Sequence, residues 1–144
     1  MEKQNRSALC TLILVYLFGA VLAVLAFAAP TLAKIYFAYD AVWLSVTTAF
    51  YVTLPFAVAT LLALDRLLRR ILHGEVFVPA NVRALRLISY MLAAATVIFL
   101  CAGFFYGAFF ILAAAAAFVV MVVRTVKNCF AAAVLLKAEN ELTI

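Results

Sequence analysis

The stretch LISYMLAAATVIFLCAGFFYGAFFILAAAAAFVVMVV, Leu87–Val123, runs for 37 residues without a charged side chain. A helix crosses the hydrocarbon core with ~20 apolar residues and at least ~17. The stretch is therefore too long for one crossing and just long enough for two short ones. Gly103 and Gly107 bracket Phe104-Phe105-Tyr106 near its middle. This predicts a tight hairpin between spans at 87–103 and 107–123. The same spacing is a GxxxG helix-packing motif, but at the end of a span the turn is the stronger expectation. Ala113 to Ala117 would let a neighbouring helix approach closely, as small residues do between membrane helices.

Two more uncharged stretches lie toward the N-terminus, at 8–29 and 41–64. Each is long enough to cross a ~30 Å core at 1.5 Å per residue. Pro30 follows the first and makes a stop, so Thr31–Asp40 reads as a short loop. Its Lys34, Tyr36 and Tyr39, with Trp43 beyond, suit a headgroup interface. Cleavage of residues 1–28 as a secretory signal peptide is the competing reading, since Ala26-Phe27-Ala28 resembles a cleavage site. An apolar core of 7–15 residues is usual there, and this stretch is longer, which favours a retained helix. Pro55 lies inside the second span and cannot donate to the Tyr51 carbonyl. A kink is expected there, with Thr47, Thr48, Thr53 and Thr60 available to freed backbone groups.

Past Val123 no helix breaker intervenes. Arg124 to Ile144 continues the fourth span as a helical tail over 124–141, with Val126, Phe130, Ala133 and Val134 at helical spacing. His73-Gly74 marks the end of the second helix, glycine taking a left-handed position and histidine favouring the negative dipole end. Asn81 can cap the third helix, and Glu75 is near enough in sequence to pair with Arg83 or Arg86.

The composition agrees: 71% apolar and 12% charged, where a soluble domain carries ~25% charge. A net charge of +5 would raise nucleic acid as a partner in a soluble protein. Here it follows from topology. Lys3, Arg6, Arg66, Arg69, Arg70, Arg83, Arg86, Arg124, Lys127 and Lys137 share one side, and Lys34 alone lies on the other. By the positive-inside rule that side is the cytoplasm. The expected fold is all-α: an integral membrane four-helix bundle in one domain, both termini cytoplasmic, helices two and four extended beyond the bilayer. Direct nucleic-acid binding is not expected.

Motifs for chemistry are absent. There is no P-loop, no dinucleotide turn, no H-E-x-x-H and no paired-cysteine metal site. Cys10, Cys101 and Cys129 lie at different depths, too far apart for a bridge. No acidic residue falls within a span, which removes the usual groups of proton relays and coupled transporters. The sequence thus predicts no enzyme, no metal and no cofactor. What remains is polar and one-sided: Asp65, Arg66, Arg69 and Arg70 at the base of helix two, then Glu75, Asn81, Arg83, Arg86, Arg124, Lys127, Asn128, Glu139 and Asn140. The last nine are the candidate docking surface. Contact with anionic lipid is the general reading of such a rim. An anion or lipid phosphate would be held, on this reading, by Arg83, Arg86 and Arg124.

Gly74-Glu75-Val76-Phe77 followed by Asn81-Val82-Arg83-Ala84-Leu85-Arg86-Leu87-Ile88-Ser89-Tyr90 resembles the central signature of DUF2975, a family of small bacterial membrane proteins of unknown function. The ending, Arg124-x-x-Lys127-Asn128-x-Phe130 and Leu136-Lys137-Ala138-Glu139-Asn140-Glu141-Leu142-Thr143-Ile144, is similar to that family's C-terminus. Glu141 departs from it, Asp being expected, with the charge kept. Members are often encoded beside a short helix-turn-helix regulator of the Xre/Cro type. By association the resemblance implies a non-catalytic regulatory protein of the bacterial inner membrane that binds or controls such a regulator. Glu75, Glu139, Glu141, Leu142 and Ile144 would offer it an acidic and apolar contact. A lipid- or small-molecule-binding protein, or a transporter accessory subunit, is the alternative. Besides the bilayer, a second copy of the chain stands open as a partner.

Overall fold

A computed structural model describes residues 2–143, the side chain of Thr143 excepted. The chain forms four helices: α1 Glu2–Tyr36, α2 Asp40–Leu72, α3 Pro79–Gly103 and α4 Ala108–Thr143. All four are long and apolar enough to cross a membrane. The protein is a multi-pass membrane protein. Many large apolar side chains face outward, Phe27, Ile35 and Phe118 among them, because lipid is the solvent for that surface. Small residues sit between helices instead. Ala8, Ala33, Ala49, Ala63, Ala95, Ala102 and Ala113 are all buried, and they let backbones approach where no hydrophobic drive exists between helices.

Consecutive helices pack on one another in chain order: α1 on α2, α2 on α3, α3 on α4. No close backbone packing joins α1 to α4 among the described residues. All four helices nevertheless line a central apolar cavity of about 300 Å³, with Leu22 of α1, Phe50 of α2, Phe99 of α3 and Leu112 of α4. Both termini and the α2–α3 connection lie at one end, here the basal end. The α1–α2 and α3–α4 connections lie at the other, the distal end.

Pro30 does not stop the first helix. α1 continues through it to Tyr36, and the connection to α2 shrinks from the expected Thr31–Asp40 to Phe37–Tyr39. The reason is a bond from another helix. Pro30 has no N–H for the Ala26 carbonyl, and the Tyr51 hydroxyl of α2 donates to that carbonyl at 2.6 Å. The Ala26 oxygen thus keeps a partner in a medium that offers none. The threonines do less than expected around Pro55. Thr60 Oγ1 donates to the Phe56 carbonyl at 2.8 Å, but Thr47 and Thr53 hydroxyls are buried without a partner.

The hairpin between the last two helices falls at Phe104–Gly107. Gly103 serves it by space, not by a left-handed backbone. A methyl at Gly103 would lie 2.7 Å from the Phe110 ring, so any side chain there would have to displace that ring. The distal end is finished by aromatic rings. Phe37 meets Tyr106 edge-on at 5.3 Å, Tyr106 meets Phe109 at 6.1 Å, and Phe109 stacks on Phe99 at 5.9 Å. These rings join one distal connection to the other. Beside them Asp40 accepts from the Trp43 indole at 3.0 Å, and the Lys34 ammonium sits 4.8 Å over the Trp43 ring. This is the amphipathic pattern of an interface.

Candidate functional site: the basal rim

The basal end starts from the way α2 stops. Gly74 has φ +84°, the left-handed region that glycine alone enters freely. Its N–H bonds the Ile71 carbonyl at 3.0 Å, and the Glu75 N–H reaches back to Arg70 at 2.9 Å. The two bonds form a Schellman motif and satisfy the last carbonyls of the helix. The expected ending at His73-Gly74 is therefore what the chain does.

The start of α3 differs from expectation. Val78 is the N-cap, with extended backbone and no side-chain cap, and Pro79 takes the first helical position, where its missing N–H costs nothing. Asn81 is already inside the first turn, fully buried. Its amide faces backward and donates to the Glu75 carbonyl at 2.8 Å and the Val76 carbonyl at 2.7 Å. Arg70 donates to the Asn81 oxygen at 3.4 Å and to the Ala80 carbonyl at 3.3 Å. Asn81 is thus the pin of the α2–α3 connection and not a cap. Phe77, on that connection, meets Phe130 of α4 edge-on at 5.6 Å. The expected pairing of Glu75 with Arg83 or Arg86 does not form among the described residues.

A second group ties α1 to α2. Arg69 donates to both Asp65 oxygens, at 3.1 and 3.2 Å, and also to the Tyr16 hydroxyl. Tyr16 had no signal in the sequence, since a tyrosine within an apolar run reads as lipid-facing. Arg66 and Arg83 bond no described residue.

The nine candidate residues do not converge on one spot. Glu75 and Asn81 belong to the pinned connection. Arg83 lines a cavity of about 340 Å³ between α2 and α3 together with Arg66 and Arg70. Arg86 and Arg124 are not among its lining residues. Register sets the company of Arg83: Arg70 of α2 reaches the first turn of α3, which brings the arginines of α2 to the same cavity. Lys127 and Asn128 flank Phe130, where α4 meets the connection. Glu139 and Asn140 lie ~14 Å or more farther along α4, at 1.5 Å per residue. Ile144 lies outside the described residues.

Arg66 and Arg70 were within reach of the sequence, where they share one face at i, i+4. Their meeting with Arg83 was not. All three cysteines are free, and no group of metal-ligating side chains occurs among the described residues.

Comparison with known proteins places the chain by sequence alone. No curated protein and no solved structure matches it. Residues 27–144 match the family described as "Protein of unknown function (DUF2975)". That match covers α2, α3 and α4 whole, including the pinned connection and the arginine-lined cavity, and the chain belongs to the DUF2975 family.

Proposed function

We propose that this protein is a non-catalytic membrane regulator whose basal end faces the cytoplasm and docks a cytoplasmic protein partner. The observation that carries the reading is the reach of α4. The Phe77–Phe130 contact sets Phe130 level with the α2–α3 connection, and α4 runs on unbroken to Thr143. At 1.5 Å per residue this carries ~20 Å of helix past the α2–α3 connection. Ala131, Leu135, Ala138 and Leu142 recur along it at i, i+4, i+7 and i+11, and all are exposed. A projecting helix with an apolar stripe flanked by charge fits the groove or seam of a partner helix. The ten-to-one distribution of basic residues supports the orientation. Family resemblance nominates the partner: a small helix-turn-helix regulator encoded nearby.

Co-purification of the full chain with the product of the adjacent regulator gene tests this. The full chain is expected to retain the regulator, and a chain ending after Phe130 is expected to release it. No enrichment with the full chain overturns the reading.

A second reading, a small-molecule-binding membrane protein, is favoured by the wholly apolar central cavity that all four helices line. Ordered density of an apolar molecule there, lost when Ala57→Phe fills the space, would support it.

A further inference from the structure

The cavity between the basal halves of α2 and α3 is polar at one end and apolar at the other. Arg66, Arg70 and Arg83 stand at its basal end. Ala59, Leu62 and Leu87 line the part that runs into the bilayer. The direction follows from the chain: α2 descends toward the basal end and α3 rises from it, so Ala59 and Leu87 are each deeper than the arginines. Four alanines, at 59, 63, 80 and 84, leave the space open.

Charge in this cavity is unbalanced. No carboxylate lines it. Asp65, the acid nearest in sequence, serves Arg69 and lines a different groove, toward α1. Arg70 is held only by neutral oxygens, those of Ala80 and Asn81. Arg66 and Arg83 bond no described residue. Three arginines therefore line one cavity beside an apolar wall, with no counter-charge from the described residues. Guanidinium binds phosphate through paired N–H donors, and basic pockets between transmembrane helices are built to hold lipid headgroups. The volume, about 340 Å³, equals roughly ten waters at ~30 Å³ each. It has room for a phosphate-bearing headgroup.

We infer that the α2–α3 cavity is a binding site for an anionic phospholipid whose headgroup carries two negative charges. Arg66 and Arg83 contact the phosphates, Arg70 adds its charge while holding the connection, and the acyl chain lies along Ala59, Leu62 and Leu87. Two negative charges match the site better than one because three cations face it. The apolar wall selects a lipid over a free phosphate, which would leave that wall exposed.

The test is native mass spectrometry of the delipidated full chain, titrated separately with cardiolipin, phosphatidylglycerol, phosphatidylcholine and inorganic pyrophosphate. Cardiolipin is expected to bind about tenfold or more tighter than phosphatidylglycerol, from the added charge contact. The double variant Arg66→Gln/Arg83→Gln is expected to lose that preference. Arg86→Gln/Arg124→Gln removes the same charge from outside the cavity and is expected to keep it within about threefold. Arg70 is left intact so that the α2–α3 connection survives in both. Should the first variant unfold, Ala84→Leu fills the cavity without removing charge and is expected to weaken cardiolipin and leave pyrophosphate unaffected. Equal losses in the two double variants would mean general surface charge and overturn the site. Pyrophosphate binding as tightly as cardiolipin would overturn the lipid assignment.

Discussion

At the distal end, ring contacts run from Phe37 through Tyr106 and Phe109 to Phe99, and both connections are joined by apolar packing. At the basal end, one connection is held by the polar bonds of Asn81 and Arg70, and α4 runs past it to Thr143. The difference teaches where each kind of adhesion works. Within lipid, aromatic and glycine contacts hold helices together because shape complementarity is the available force. Near water, a short loop is held instead by giving each buried polar atom a partner. The end closed by rings offers apolar surface, and the end closed by one asparagine offers arginines beside it.

Four substitutions can break or sharpen this contrast, each read as unfolding of the full chain in SDS titration. The largest effect is expected at Asn81. Asn81→Ala removes two bonds to the Glu75 and Val76 carbonyls and should cost about 1–3 kcal/mol, at ~0.5–1.5 kcal/mol for each hydrogen bond. A loss under ~0.5 kcal/mol would mean that the α2–α3 connection is held by something else. Next is Gly103→Leu, which drives a side chain into the Phe110 ring and should cost about 1–3 kcal/mol by overpacking. Equal stability would show that the distal hairpin has slack. Tyr51→Phe follows at about 1 kcal/mol for one hydrogen bond. In a Pro30→Ala background the same change should cost less, as a double-mutant cycle would show. Arg6→Gln comes last. It breaks an exposed i, i+4 pair with Glu2, at 2.9 Å, and should shift stability by less than about 0.5 kcal/mol. A larger shift would mean that surface charge, not the Asn81 pin, holds the basal end.

The helices were legible because length and absence of charge are physical requirements for crossing a bilayer. Leu87–Val123 had to turn once, and Gly103 lies where it does. The Gly74 ending of α2 was legible too, since its signal is local. The misreadings were all tertiary. Pro30 reads as a terminator when only its own helix is considered, and the hydroxyl that rescues the Ala26 carbonyl comes from Tyr51 on the next helix. Asn81 reads as a cap because it precedes an apolar run, but Pro79 takes the first helical position and moves the start three residues earlier. The arginines were visible individually. Which of them share a cavity depended on the register of α2 against α3, and no single-helix periodicity encodes that.

The Tyr51–Ala26 bond also constrains the routes by which such a chain can diverge. Pro30 and Tyr51 sit on different helices, yet each is harmless only in a particular company. With Pro30 present, exchange of Tyr51 for phenylalanine strands a carbonyl in lipid. With Pro30 first replaced, the backbone N–H returns and the hydroxyl becomes dispensable. Substitutions at this pair are therefore ordered: the proline can leave first, the tyrosine second, and the reverse path passes through a damaged intermediate.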